Sequence, residues 1–177
     1  MPTSGDGMTG ASAAAMGYGL WLVAGLADFI LHRRANLAHT SGMAESALHL
    51  LQLLLVGLGI LLWLYLQPSR PLLILWTAIA TLHAAVGYLD TSVAYPRRRI
   101  GPLEQHVHSA LDMAPWIAVA CLWWLHGREE STAAIALREP AFSTLHQAGV
   151  LLPAAVLTGV PAMVEFVHAW RVRTRRH

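Results

Sequence analysis

The chain has 177 residues, 55% of them hydrophobic, a single cysteine and a formal net charge of +2, with a mean hydropathy of +0.48. Only 12% of the residues are charged, about half the usual share in soluble domains, which excludes an ordinary soluble globular protein; one membrane domain is expected. Cys121 alone cannot build a disulfide framework or a cysteine zinc site, and the arginines are not interleaved with stacking aromatics, which excludes a nucleic-acid surface.

Residues 1–11 are rich in Gly, Ser and Thr and are expected to be flexible. Residues 12–170 then hold five stretches long enough to cross a bilayer, which takes about 20 apolar residues. The first, Ser12–Leu31, lacks a basic leader and exceeds the apolar core of a signal peptide, so it reads as a retained helix carrying Asp28 and His32. Arg33 and Arg34 follow it. Ser41 is placed to N-cap the second span, Met43–Leu66, which carries Glu45 and His49. Pro68-Ser69-Arg70-Pro71 makes a tight turn into the third, Leu72–Tyr95, with His83 and Asp90. Tyr95-Pro96 ends it, because the residue before proline avoids helical geometry, and Arg97, Arg98 and Arg99 follow. Pro102 suits the first turn of the fourth span, Leu103–Leu125, with His108 and Asp112. Residues Ser131 to Leu137 read as a short interfacial helix. The fifth span, Ala148–Trp170, carries Glu165 and His168, and residues 171–177 form a basic tail. Pro115, Pro153 and Pro161 are expected to kink the last two spans.

The arginines set the orientation. Nine of the twelve lie in the loops after spans one and three and in the tail; Arg70, Arg128 and Arg138 lie opposite, diluted by Glu129, Glu130 and Glu139. The positive-inside rule puts the N-terminus outside, the C-terminus and tail in the cytoplasm, and the protein in the plasma membrane, here a bacterial inner membrane. The expected fold is an all-α integral membrane bundle of five transmembrane helices.

Ionisable residues in a bilayer cost roughly 2.5–3.5 kcal/mol each on insertion scales and mark function by default. With this orientation every span places its ionisable residues between the midplane and the inner face. Asp28/His32, Glu45/His49 and His108/Asp112 are spaced i,i+4 and Glu165/His168 i,i+3, so each pair shares a helix face; His83 and Asp90 lie two turns apart on another. No arginine within the spans neutralises the five carboxylates, so protons, histidinium or metal ions must. Two divalent cations would bring four charges, and imidazole with carboxylate suits iron, zinc or manganese. The metal ligands expected are therefore Asp28, His32, Glu45, His49, His83, Asp90, His108, Asp112, Glu165 and His168. Ser46, Gln52, Ser109 and Tyr88 are candidate outer donors that orient them. Glu104, His106 and His39 read as solvated interface groups, and Arg97–Arg99 as topology signals contacting headgroups.

Glu165-Phe166-Val167-His168 matches the Glu-x-x-His motif of ferritin-like di-iron bundles. The overall plan resembles the membrane-bound non-haem di-iron enzymes, a group that includes the fatty-acid desaturases and alkane hydroxylases. Their His-x-x-x-His and His-x-x-His-His boxes do not occur here; carboxylate alternates with histidine instead. The resemblance implies oxygen-dependent chemistry on a lipid-soluble substrate. The leading expectation is a di-metal oxidoreductase of hydroxylase, oxygenase or desaturase type, holding two iron ions (or zinc or manganese) and taking electrons from a partner protein or a quinone. A zinc-dependent membrane hydrolase and a divalent-metal or proton transporter are the alternatives. A haem protein ranks last, because axial histidines need no such set of carboxylates.

Overall fold

A chain inside a bilayer has to satisfy every backbone N–H and C=O within itself, and helices do so locally. The computed structural model describes residues 4–128 and 135–175 and is helical through most of them. The elements are α1 (Ser4–Arg34), a short 3-10 turn (Leu37–His39), α2 (Gly42–Tyr65), α3 (Arg70–Ala94), α4 (Pro102–His126), α5 (Thr144–Ala154), a π-helical turn (Ala155–Gly159) and α6 (Val160–Thr174). The last three follow one another without a break, so the described residues form five helical rods.

Four rods are long and apolar enough to cross a membrane: Ser12–Arg34, Gly42–Tyr65, Arg70–Ala94 and Thr144–Thr174. The fifth, α4, is as long at 25 residues but is not among them. Its first half carries Glu104, His106, His108 and Asp112, which lower its hydropathy. The exposure pattern is that of a membrane protein. Leu20 and Leu54 are about 70% exposed, while Glu45 and His32 are at 0% and 1%. Apolar side chains face outward and polar ones meet between helices, as lipid requires.

The boundaries follow local chemistry. α1 begins at Ser4, ahead of the Ser12 boundary read from hydropathy. It ends where Asn36 takes a left-handed conformation (φ 55°), which its short polar side chain tolerates. Ser41 holds the N-cap position of α2 but makes no capping hydrogen bond. The chain instead enters α2 through Gly42 at φ 64°, a conformation that a side chain would strain. The last rod starts at Thr144, ahead of the expected Ala148, because the Ser143 hydroxyl accepts the His146 N–H at 3.2 Å and caps it there.

Proline acts differently in the two rods that contain it. α4 continues through Pro115. Pro153 and Pro161 bracket the π turn, where the Val160 N–H reaches back to the Ala155 carbonyl. The Thr158 hydroxyl donates to the Ala154 carbonyl at 2.6 Å, so the disturbed turn still satisfies its backbone.

Packing closes the rods into a ring in the order α1, α4, α3, α2, α6 and back to α1. One half of the ring is apolar: Leu72, Leu73, Trp76, Ala80 and Val119 form a buried cluster flanked by Leu62, Trp63 and Leu122. Trp76 ties it to α2 by donating its indole N–H to the Gly59 carbonyl at 3.1 Å. Beyond this cluster, Leu137 pairs antiparallel with Leu66, and the Arg138 guanidinium donates to the Trp63 carbonyl at 2.8 Å over the Phe142 ring. Of the segment expected to form an interfacial helix, residues 131–134 lie outside those described, and Leu137 is extended. The other half of the ring is polar.

Candidate metal centre

Seven of the ten expected ligands meet inside that polar half: Asp28 and His32 from α1, Glu45 and His49 from α2, Asp90 from α3, His108 from α4 and Glu165 from α6. His32 is their hub. Its Nε2 lies 3.4 Å from an Asp28 oxygen, 3.8 Å from Glu45 and 3.3 Å from Glu104, and its Nδ1 lies 3.3 Å from Glu165. His49 stacks on it, ring centroids 4.5 Å apart and 5° from parallel. His49 in turn places Nδ1 at 2.9 Å from Glu165 and Nε2 at 3.2 Å from Asp90. His108 Nε2 lies 2.9 Å from Asp28. A ring whose two nitrogens both face carboxylates is either doubly protonated or bonded to a cation on one side.

Helix periodicity explains the convergence. The i,i+4 pairs on α1 and α2 put acid and imidazole one above the other on the inward face. Ligand atoms of Asp28, His32 and His108 all lie within 4.8 Å of one another, and so do those of His32, Glu45 and His49. Asp90 Oδ1 in this layer is buried without a hydrogen bond, and a buried polar atom left unmet costs about 1–3 kcal/mol. Asp28 Oδ1 faces His108 Nε2, Glu104 Oε1 pairs with Arg98 Nη2, and His32 Nε2 lies near both carboxylates. The donor set of imidazole and carboxylate fits a metal cation. A neutral imidazole has one free lone pair, so His32 can serve one triad at a time. The other would draw on Glu104, Asp90 or Glu165.

Three expected ligands stand apart from this hub. His83 is buried at 4% exposure, two turns from Asp90, with Nδ1 unbonded; it lines a cavity together with Asp28, His32, His49 and Glu165 but belongs to neither triad of ligand atoms. Asp112 borders a cavity of about 30 Å³ together with Asp28, His49, Asp90 and His108. That is room for about one water or one ion. Its carboxylate rests on Gly87, where an added Cβ would meet Oδ1 at 2.8 Å. His168 is exposed on the last turns of α6, edge-on to His39 at 6.1 Å; three residues from Glu165, it is turned toward the 3-10 segment. Of the expected outer donors, Gln52 borders the cluster and Ser46 is fully buried beside Glu45. Ser109 bonds back to the Gln105 carbonyl of its own helix, and Tyr88 is exposed.

Two residues enter that sequence reasoning assigned elsewhere. Glu104, read as a solvated interface group, is buried at 5% exposure and faces His32. Its i,i+4 spacing to His108 was the available signal. Arg98, read with its neighbours as a headgroup contact, turns inward from the loop between α3 and α4. It donates from Nε to both Glu45 oxygens at 3.2 and 3.1 Å, and its Nη2 pairs with Glu45 and Glu104. Burial opposes its charge, and the two carboxylates more than offset that, holding the guanidinium above its ordinary range. No periodicity distinguishes the middle member of an arginine triplet, so the sequence carried no signal for it.

The charge balance now reads differently. Asp28, Glu45, Asp90, Glu104 and Glu165 face one guanidinium, leaving four negative charges when the imidazoles are neutral. Divalent cations or histidinium protons would offset that remainder, and Asp112, bordering the same layer, adds one more carboxylate. No family model, curated protein or solved structure matches the chain.

Proposed function

We propose that the chain is a membrane-embedded di-metal oxidoreductase, with two iron ions held by carboxylates and histidines near the cytoplasmic face. One observation carries this reading: two triads of imidazole and carboxylate ligand atoms, each drawn within 4.8 Å, share His32 in a buried layer rich in carboxylates. One ion would be held by His32 or His49 with Glu45, Glu165 and Glu104, and the other by His108 with Asp28, Asp90 and Asp112. Iron bound there would supply redox chemistry with dioxygen toward a lipid-soluble substrate, with electrons from a partner protein or a quinone. The protein's own residues orient the ligands, hold the counter-charge at Arg98 and keep water away on the apolar side.

All five rods span the membrane in this reading, α4 included, because its polar residues face the ring interior. The N-terminus is outside, the C-terminus inside, and the membrane is a bacterial plasma membrane. Transport fits less well, since Leu72, Leu73, Trp76 and Val119 pack the outer half without a polar path.

Metal content per chain, measured by plasma mass spectrometry on detergent-purified protein together with an optical spectrum, tests the proposal. Two irons without a Soret band are expected. Two zincs would identify the hydrolase instead, a Soret band would mean haem, and a metal-free chain that stays so after anaerobic reconstitution with ferrous iron would sink the reading. Stripping the ions should lower the melting temperature: metal present at a hundred times its dissociation constant contributes about 2.7 kcal/mol. Gly87→Ala, which displaces the Asp112 carboxylate, should weaken retention of one ion during dialysis while leaving membrane insertion unchanged. Equal retention of both would remove Asp112 from the ligand set.

A further inference from the structure

The C-terminal end of the last rod carries a second polar feature, separate from the ligand layer. An open cavity of about 380 Å³ lies between α6 and the 3-10 turn, walled by His39, His168, Arg171, Val172 and Arg175. Two guanidiniums and two imidazoles border it, and no carboxylate does. His168, Arg171 and Arg175 stand at i, i+3 and i+7, so one helix face presents all three. Arg171 and Arg175 start about 6 Å apart along the axis, close enough for both to reach one small group. The facing wall is fixed in place. Leu37 is buried at 2% exposure, and the turn is closed by the His39 N–H on the Asn36 carbonyl and the Thr40 N–H on the Leu37 carbonyl, both at 3.0 Å. His39 is thereby held edge-on to His168. The guanidiniums are not needed as helix caps, since the Thr174 hydroxyl donates to the Trp170 and Arg171 carbonyls at 3.2 and 3.1 Å. Among the described residues, no acidic side chain pairs with Arg171 or Arg175.

We propose that this cavity binds a phosphomonoester, with Arg171 and Arg175 clasping the phosphate and the His39 and His168 rings flanking it. A guanidinium presents a planar fork of donors that matches phosphate oxygens two at a time, and each imidazole can add an N–H. Charge selects the monoester. It carries about −1.5 to −2 at pH 7, which two guanidiniums match, whereas a diester carries less. Position selects the source. The candidate span that contains Arg171 ends at Thr174 and Arg175 follows directly, so the cavity sits where that rod leaves the membrane. Trp170 beside it is exposed, as aromatic side chains at headgroup level are. The ligand is therefore the headgroup of a lipid with a terminal phosphate, of the phosphatidic acid kind; a soluble phosphate ester offers the same oxygens without the chains. None of the cavity's residues belongs to the two triads of ligand atoms, so this site is additional to the di-metal reading and does not depend on it.

Native mass spectrometry of the full chain in detergent, titrated with dioleoyl phosphatidic acid, with dioleoyl phosphatidylglycerol or with inorganic phosphate, tests the assignment. Phosphatidic acid should bind more tightly than phosphatidylglycerol. Arg171→Gln and Arg175→Gln should each weaken it about tenfold or more, the worth of one charge-assisted hydrogen bond. Both side chains are exposed, so the variants should fold as the parent does. Arg173→Gln removes the same charge from the same tail but does not line the cavity, and it should leave the affinity unchanged. Equal weakening by all three variants would reduce the effect to the net charge of the tail and overturn the site. Phosphatidylglycerol bound as tightly as phosphatidic acid would overturn the monoester. Inorganic phosphate bound in dependence on Arg171 and Arg175, with no lipid bound, would uphold the clasp and assign it to a soluble phosphate ester. Binding of neither lipid nor phosphate would overturn the proposal outright.

Discussion

The His32→Ala protein should insert into the membrane and lose at least one metal ion per chain. His32 contacts four carboxylates and belongs to both triads of ligand atoms. Losing a partner in the outer layer typically costs about 10–100-fold in metal affinity, so losing this ring should cost more than about 100-fold. Insertion is spared because the outward faces of the four apolar rods are untouched. His32→Gln separates metal binding from a metal-free hydrogen-bonded layer. Glutamine restores a donor toward the carboxylates but is a poor iron ligand. A purely structural histidine predicts that Gln recovers the melting temperature of the parent and changes nothing else. A ligand predicts that Gln stays metal-deficient like Ala. Parent-like metal content in both variants would remove His32 from the centre, and with it the argument for two ions in this layer.

Arg98→Met should produce the largest loss of stability of any single substitution here. It strands Glu45, which is fully buried, and Glu104, which is nearly so, without their shared counter-charge. Removing one partner of a buried ion pair costs about 3–5 kcal/mol, because the remaining charge is left uncompensated. Thermal unfolding of detergent-solubilised protein reads the effect. Arg98→Lys should recover part of it, since an ammonium is a point charge and cannot reproduce the fork that meets both Glu45 oxygens. Adding Glu104→Gln to Arg98→Met should restore stability relative to the single variant, and the coupling from that double-mutant cycle measures the pair. The sign of the pH dependence follows from the raised guanidinium. Its contribution is complete below the ordinary arginine range and is lost only as pH rises through the still higher folded-state range, so Arg98 should add no pH dependence to stability between about pH 5 and 10. A Met variant as stable as the parent would show that Arg98 leaves the layer in solution and contacts headgroups after all.

The all-helical nature of the chain and four of the five expected spans were legible because they depend on local quantities. Hydropathy over some twenty residues, prolines at turns and helix breaks, and arginines between spans are each read from neighbours in sequence. The shared facing of Asp28, His32, Glu45, His49 and His108 was legible for the same reason: i,i+4 spacing is a property of one helix and needs no partner. Closing the ring was not legible, since which rods adjoin depends on contacts between distant segments. That closure decided the membership of the site. It brought Glu104 to His32 from the adjoining rod, turned His168 toward His39, set His83 on the wall of a cavity beside the cluster, and laid Asp112 on a glycine of the neighbouring rod. It also drew Arg98 out of a basic loop into the carboxylates, which no pattern in one dimension encodes. A loop side chain is free to go to water, lipid headgroups or the interior. The choice falls to the strongest field within reach, and that field exists only once five helices have placed their acids side by side.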